Sequence, residues 1–131
     1  MSLLITNNPL VRERYLNRLE IEFLYTDLLG VLVCVRDHIH KGCELSTHPL
    51  SGSVKPNETI YKSVLLSKNK SMTEGIKNKS NNPDIMSLKI IEECIQTVLK
   101  LPEKPIQKKH LNDMQLIDLS LISPAIENHI N

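Results

Sequence analysis

Aromatic side chains are nearly missing from this sequence: its 131 residues include no tryptophan, one phenylalanine and three tyrosines. Proteins that hold single-stranded nucleic acid stack bases on such rings, so that platform is lacking. An excess of one charge is lacking too. Lys and Arg total 16 against 15 Asp and Glu, and a formal net charge of +1 sets up no global field toward nucleic acid or an anionic membrane. Nucleic acid is therefore not an expected partner. Cysteine is sparse, with Cys34, Cys43 and Cys94 scattered, odd in number and without a CxxC pair. That excludes a disulfide framework and fits reduced thiols in a cytoplasmic compartment. Their spacing does not say whether any has a redox role.

Long apolar runs are also missing. No segment approaches the roughly 20 apolar residues that span a bilayer. The amino terminus, MSLLITNNPLVRERY, has neither the basic start nor the long apolar stretch of a secretory signal. The expectation is a cytoplasmic protein with no membrane partner. With only 4 glycines, the chain carries neither GxxxxGK followed by Ser or Thr nor GxGxxG, so the standard nucleotide fingerprints are absent. A GxSxG nucleophile elbow is absent as well.

What is present suits one domain over 1–131, long enough to bury a core without staples. Residues 3–5 read as a strand, after which Asn8 can cap and Pro9 can open a helix running to Leu19. A strand over 20–25 leads to a helix capped by Thr26 or Asp27 and running to about 41. Its core stripe is Leu28, Leu32, Val35 and Ile39, with Gly42 as the stop. Strands follow over 43–47 and 61–67. The stretch 68–82, KNKSMTEGIKNKSNN, has no apolar face and reads as a mobile loop. Its lysines, Lys68, Lys70, Lys77 and Lys79, read as a solvated run. Asn82 and Pro83 open a helix with Ile85, Leu88, Ile91, Ile95, Val98 and Leu99 as its stripe, ending before Pro102. A last helix over 112–123 buries Met114, Ile117 and Leu121 and is ended or kinked at Pro124. This order predicts a small layered α/β domain, Rossmann-like, with a mostly parallel sheet of about four strands, flanking helices and two helices at the carboxyl-terminal end. In such sheets the loops after the first and third strands converge at the carboxyl end, where ligands sit.

The richest polar segment is 47–63, THPLSGSVKPNETIYKS. A loop so dense in different hydrogen-bonding groups is where binding is sought first. Candidate ligand-binding residues are Asn7, Asn8, His48, Ser51, Ser53, Lys55 and Asn57, with an anion at the helix end behind Asn8 and helped by the loop. His48 with Glu58 is the candidate acid/base pair, since imidazole titrates near neutrality and a carboxylate could orient it. Capping by Asn8 and a loop-backbone bond by His48 explain the same residues without chemistry. Cys34 and His38, four apart on a helix, share a face and could give two metal ligands. His38 and His40, two apart, point about 200° away from each other. Zinc would need donors from elsewhere, so the expectation is no metal and no cofactor.

The runs ITNNPLV at 5–11, VRDHIHKG at 35–42 and THPLSGSVKPNET at 47–59 resemble the GrdX family. The likeness is strong over the first half and looser beyond it, and Tyr61 stands where the family pattern has proline, which affects loop stiffness. The resemblance implies an accessory role in the glycine, sarcosine and betaine reductase systems of amino-acid-fermenting anaerobes, beside a selenoprotein reductase. It brings no catalytic residues. Three readings follow: a non-catalytic accessory protein holding a small anion or a reductase component through 47–63; a small enzyme acting on a phosphorylated or carboxylate metabolite with His48 as acid or base; and a structural subunit binding a partner through its carboxyl-terminal helices. The first is favoured, and homo-oligomers are left open.

Overall fold

The computed structural model describes residues 1–50, 55–68 and 83–130. Ser51 and Ser53 lie outside the described residues, as does all of the expected mobile loop except Lys68. Among the described residues, four strands and four helices follow one another as β1 (Ser2–Thr6), α1 (Pro9–Tyr15), β2 (Glu20–Phe23), α2 (Leu28–His40), β3 (Glu44–Leu45), β4 (Ser63–Ser67), α3 (Ile85–Lys100) and α4 (Leu111–Ile130). Short 3-10 turns sit at Pro56–Glu58 and Lys108–His110.

The sheet order is β2-β1-β4-β3. β1 pairs with β2 in parallel, but β4 runs antiparallel to both β1 and β3. The expectation of a mostly parallel sheet is thereby corrected: one pair of three is parallel. The physical reason is the connection, since the described residues between β3 and β4 hold a 3-10 turn and no crossover helix, and the chain returns antiparallel. β1, β2 and β3 still point the same way, because β1 and β3 both oppose β4. Their carboxyl ends share one end of the sheet with the start of β4.

Both central strands are covered on two faces, which is why LLI and VLL read as unbroken apolar runs rather than alternations. Leu3, Ile5, Val64 and Leu66 pack under α2 and α3 with Val31, Leu32, Val35, Ile39, Ile91 and Ile95. Leu4 and Leu65 point to the other side, against Val11 and Tyr15 of α1 and Ile122 and Ile126 of α4.

The expected helix stripes hold for α2 and shift elsewhere. Leu28, Leu32, Val35 and Ile39 are all buried, Asp27 supplies the cap by accepting from the Gly30 amide at 2.9 Å, and Gly42 takes φ 112°, a conformation that favours glycine. α1 ends at Tyr15 rather than Leu19, because Asn17 sits in the left-handed region at φ 74°. In α3, Ile91 and Ile95 are buried, but Ile85 and Leu99 are exposed. Asp84, not Asn82, is its cap, accepting from the Ser87 amide at 2.9 Å. α4 does not end at Pro124 but continues through it to Ile130. Ser120 and Ser123 donate their hydroxyls to the Ile117 and Leu119 carbonyls at 2.8 and 2.7 Å, and burial of Ile122 and Ile126 holds the turns on either side. The expected stripe of Ile117 and Leu121 stays 43% and 41% exposed, while Asp118, Ile122 and Ile126 form the buried line.

Candidate functional site

The end of the sheet where β1, β2 and β3 finish is built on two adjacent asparagines. Asn7 is buried and its amide joins three loops. Its Nδ2 donates to the Thr26 carbonyl at 2.9 Å and the Ile60 carbonyl at 2.6 Å, and its Oδ1 accepts from the Lys62 amide at 2.8 Å. The loop after β1 thus meets the far end of the polar loop, as the shared strand direction requires. Asn8, fully buried, caps α1 through Oδ1, which accepts from the Leu10 amide at 3.0 Å. Its Nδ2 donates to the Gln115 carbonyl and to Asp118 Oδ2, both at 3.0 Å.

Asp118 is the hub of this end. It is 4% exposed and accepts from the Ser63 amide at 3.1 Å through Oδ1, while Oδ2 takes the Ser63 hydroxyl at 2.7 Å as well as Asn8. Ser63 Oγ also lies 2.7 Å from Thr6 Oγ1. A carboxylate taken from water needs such donors to offset its desolvation. Sequence reasoning missed Asp118, although a lone acid four residues from both Met114 and Ile122 stands on the inner line of a helix.

Beside this hub opens a cavity of about 420 Å³ between the segment leading into β4 and α4. Leu28, Leu50, Met114, Ile117 and Leu121 supply its apolar wall, and Tyr61, Lys62 and Asp113 its polar one. Tyr61 is held by Gln115 Nε2, which donates to its hydroxyl at 3.1 Å. Lys62 has its pKa lowered, chiefly by burial, with the Asp118 charge acting against the shift. Of the wall's three carboxylates, Asp118 is held by its donors and Glu58 by Lys104 Nζ at 2.9 Å, while Asp113 is exposed. Neither Lys62 nor the cavity was singled out from sequence; the one signal was a lysine directly ahead of the apolar run of β4.

The expected loop residues divide. His48 is exposed, and its Nδ1 accepts from the Leu50 amide at 3.1 Å, the loop-backbone bond anticipated for it. Glu58 is exposed at the cavity rim, its pKa lowered by the Lys104 hydrogen bond. Asn57 Nδ2 donates to the Pro102 carbonyl at 3.0 Å, tying the loop to the chain after α3. Lys55 is exposed, and its carbonyl accepts from the Glu58 amide at 2.9 Å.

A second cluster lies elsewhere. Cys34 and His38 share a face of α2 as expected, and Glu22 on β2 supplies the partner that spacing could not reveal. Cys34 Sγ donates to Glu22 Oε2 at 2.9 Å, and His38 Nε2 lies 2.9 Å from Glu22 Oε1. Burial and the neighbouring carboxylate push the Cys34 thiol up to about 12, while the Cys34 and His38 hydrogen bonds lower Glu22. Cys43 and Cys94 are buried free thiols, raised by burial.

Among the described residues, no helix is long and apolar enough to cross a membrane. No curated protein and no solved structure matches the chain. A family model, that of the GrdX-like proteins, matches residues 3–127, nearly the whole sequence and well beyond the half where the motifs lie. The chain belongs to the GrdX-like protein family.

Proposed function

We propose that this protein is a cytoplasmic accessory component of a glycine, sarcosine or betaine reductase system, and that it holds a small carboxylate- or phosphate-bearing metabolite in the cavity beside α4. The observation that carries the reading is the cavity itself: about 420 Å³, with a mostly apolar lining and Lys62 in its wall. Binding sites for small molecules fall in this size range and pair apolar walls with a few placed polar groups. Lys62 is the cation for the ligand's negative group, while Ile117, Leu121 and Met114 cover its apolar part. Asn7 and Asn8 lie outside the lining, and Asp118, though in the wall, has its oxygens taken by Ser63 and Asn8; the three hold the segment from Ile60 to Ser63 against α4 and so set the cavity's shape.

His48 and Glu58 contribute less in this reading, because their contacts are with the Leu50 amide and with Lys104. A second reading has its own observation. Leu116, Ile117 and Leu121 are exposed along α4, and a reductase component docking there would close the cavity.

Thermal unfolding against glycine, sarcosine, betaine, acetyl phosphate and inorganic phosphate tests the first reading. A ligand at about 100 times its dissociation constant adds roughly 2.7 kcal/mol, on the order of 10 °C at this chain length. The shift is expected in the parent and lost in Lys62→Met. A shift that survives Lys62→Met, or none with any compound, overturns it.

A further inference from the structure

Among the described residues outside the cavity, the trio on β2 and α2 brings metal-ligating side chains together. Cys34 and His38 stand one turn apart on α2, and the Glu22 carboxylate reaches both from the neighbouring edge strand, at 2.9 Å to each. The three donor atoms all lie within 4.8 Å of one another. We propose that Glu22, Cys34 and His38 form a site for a zinc-class divalent cation, with a fourth coordination position open to solvent.

Geometry comes first. An ion bonded tetrahedrally at about 2.0–2.3 Å to sulfur, nitrogen and oxygen sets its ligands roughly 3.3–3.7 Å apart. The Glu22 contacts, 2.9 Å from Oε2 to Cys34 Sγ and 2.9 Å from Oε1 to His38 Nε2, lengthen by less than 1 Å as the carboxylate turns one oxygen to the ion, and donor atoms already within 4.8 Å of one another settle to the coordination spacing. The donor set decides the class of ion. Thiolate and imidazole select zinc and its chemical neighbours over magnesium and calcium, which take oxygen ligands. Charge balances as well: a thiolate and a carboxylate match a divalent cation, with the imidazole neutral. Binding forms the sulfur–metal bond as the Cys34 proton leaves to solvent. Access is open, since the His38 and Glu22 side chains are 18% and 41% exposed. A purely structural role as a hydrogen-bonded clasp between β2 and α2 uses the same contacts, so the test must read the metal.

The full chain, kept reduced and stripped with chelator, is titrated with Co²⁺. Binding is expected to produce a thiolate-to-cobalt charge-transfer band with the visible absorption of a tetrahedral ion, both removed by Zn²⁺. Cys34→Ser should abolish the charge-transfer band, and Glu22→Gln should weaken cobalt affinity by at least about 10-fold. Cys94→Ala should leave the spectrum unchanged. Absence of the band in the parent overturns the proposal, as does its persistence in a folded Cys34→Ser. If Cys34→Ser does not fold, Glu22→Gln decides, and parent-like cobalt affinity in that variant overturns the site.

Discussion

Removing the Asp118 carboxylate should be among the most damaging single changes in this protein. Asp118→Ala leaves the Ser63 amide, buried at the start of β4, with no acceptor, and takes one of two partners from Asn8 Nδ2. The Ser63 hydroxyl fares better, because Thr6 Oγ1 stands 2.7 Å away. A buried donor left unmade costs about 1–3 kcal/mol. One full orphan, one partial orphan and the cavity left by the lost atoms together come to about 3–5 kcal/mol. Against a typical total of about 5–15 kcal/mol this is a large fraction. Urea denaturation at neutral pH reads it directly, and thermal melts should show a melting temperature lowered by on the order of 12–20 °C. Asp118→Asn keeps the volume and one acceptor but turns an amide toward donors, so it should fall between the parent and Asp118→Ala. A loss under about 0.5 kcal/mol for Asp118→Ala, the size of an ordinary surface change, would refute the claim that this carboxylate ties α4 to the sheet.

Other expectations follow from the same contacts. Asn7→Asp should destabilise more than Asn7→Ala in thermal melts at pH 7, because it sets a carboxylate oxygen against the Thr26 and Ile60 carbonyls. Ile126→Ala should cost about 2–5 kcal/mol in urea, whereas Leu121→Ser, on the exposed side of α4, should stay within about 0.5 kcal/mol; equal losses would contradict the assigned core line. Pro124→Ala should raise stability by about 1–3 kcal/mol, since it restores a helix amide and removes a poor helix former. Lys62 has its pKa lowered from 10.5 by burial, so the unfolded chain binds more protons there and this contribution to stability rises with pH up to about 10.5. Lys62→Met should therefore be more stable than the parent at pH 7. Its advantage should shrink toward pH 10.5 in paired melts.

The parts of the fold legible in the sequence were those fixed by local chemistry. Asn8 with Pro9, Asp27 with its helix stripe, and Gly42 each act within a few residues, and the structure places them as read. Strand direction was less accessible, because the order of elements does not say that β4 slots between β1 and β3. The α4 stripe failed for a related reason. Leu116, Ile117 and Leu121 are as apolar as Ile122 and Ile126, so the pattern alone is hydrophobic nearly all round. Only the sheet decides which side is buried, and it takes the side carrying Asp118. Lys62 and Glu22 escaped notice because their partners, on α4 and on α2, come from distant sequence. Within the polar loop, Leu50, Pro56, Glu58, Thr59, Tyr61 and Lys62 line the cavity beside α4, whereas His48, Lys55 and Asn57 are not among its lining.

The most direct test of the cavity as the binding site is a two-dimensional amide NMR titration of the labelled chain with the ligand that gives the largest thermal shift. If the cavity is the site, resonances of Tyr61, Lys62, Asp113, Met114 and Ile117 move together and saturate at one dissociation constant. Changes centred on His48 or Asn57 with the α4 resonances still, or no saturable change at all, would contradict it.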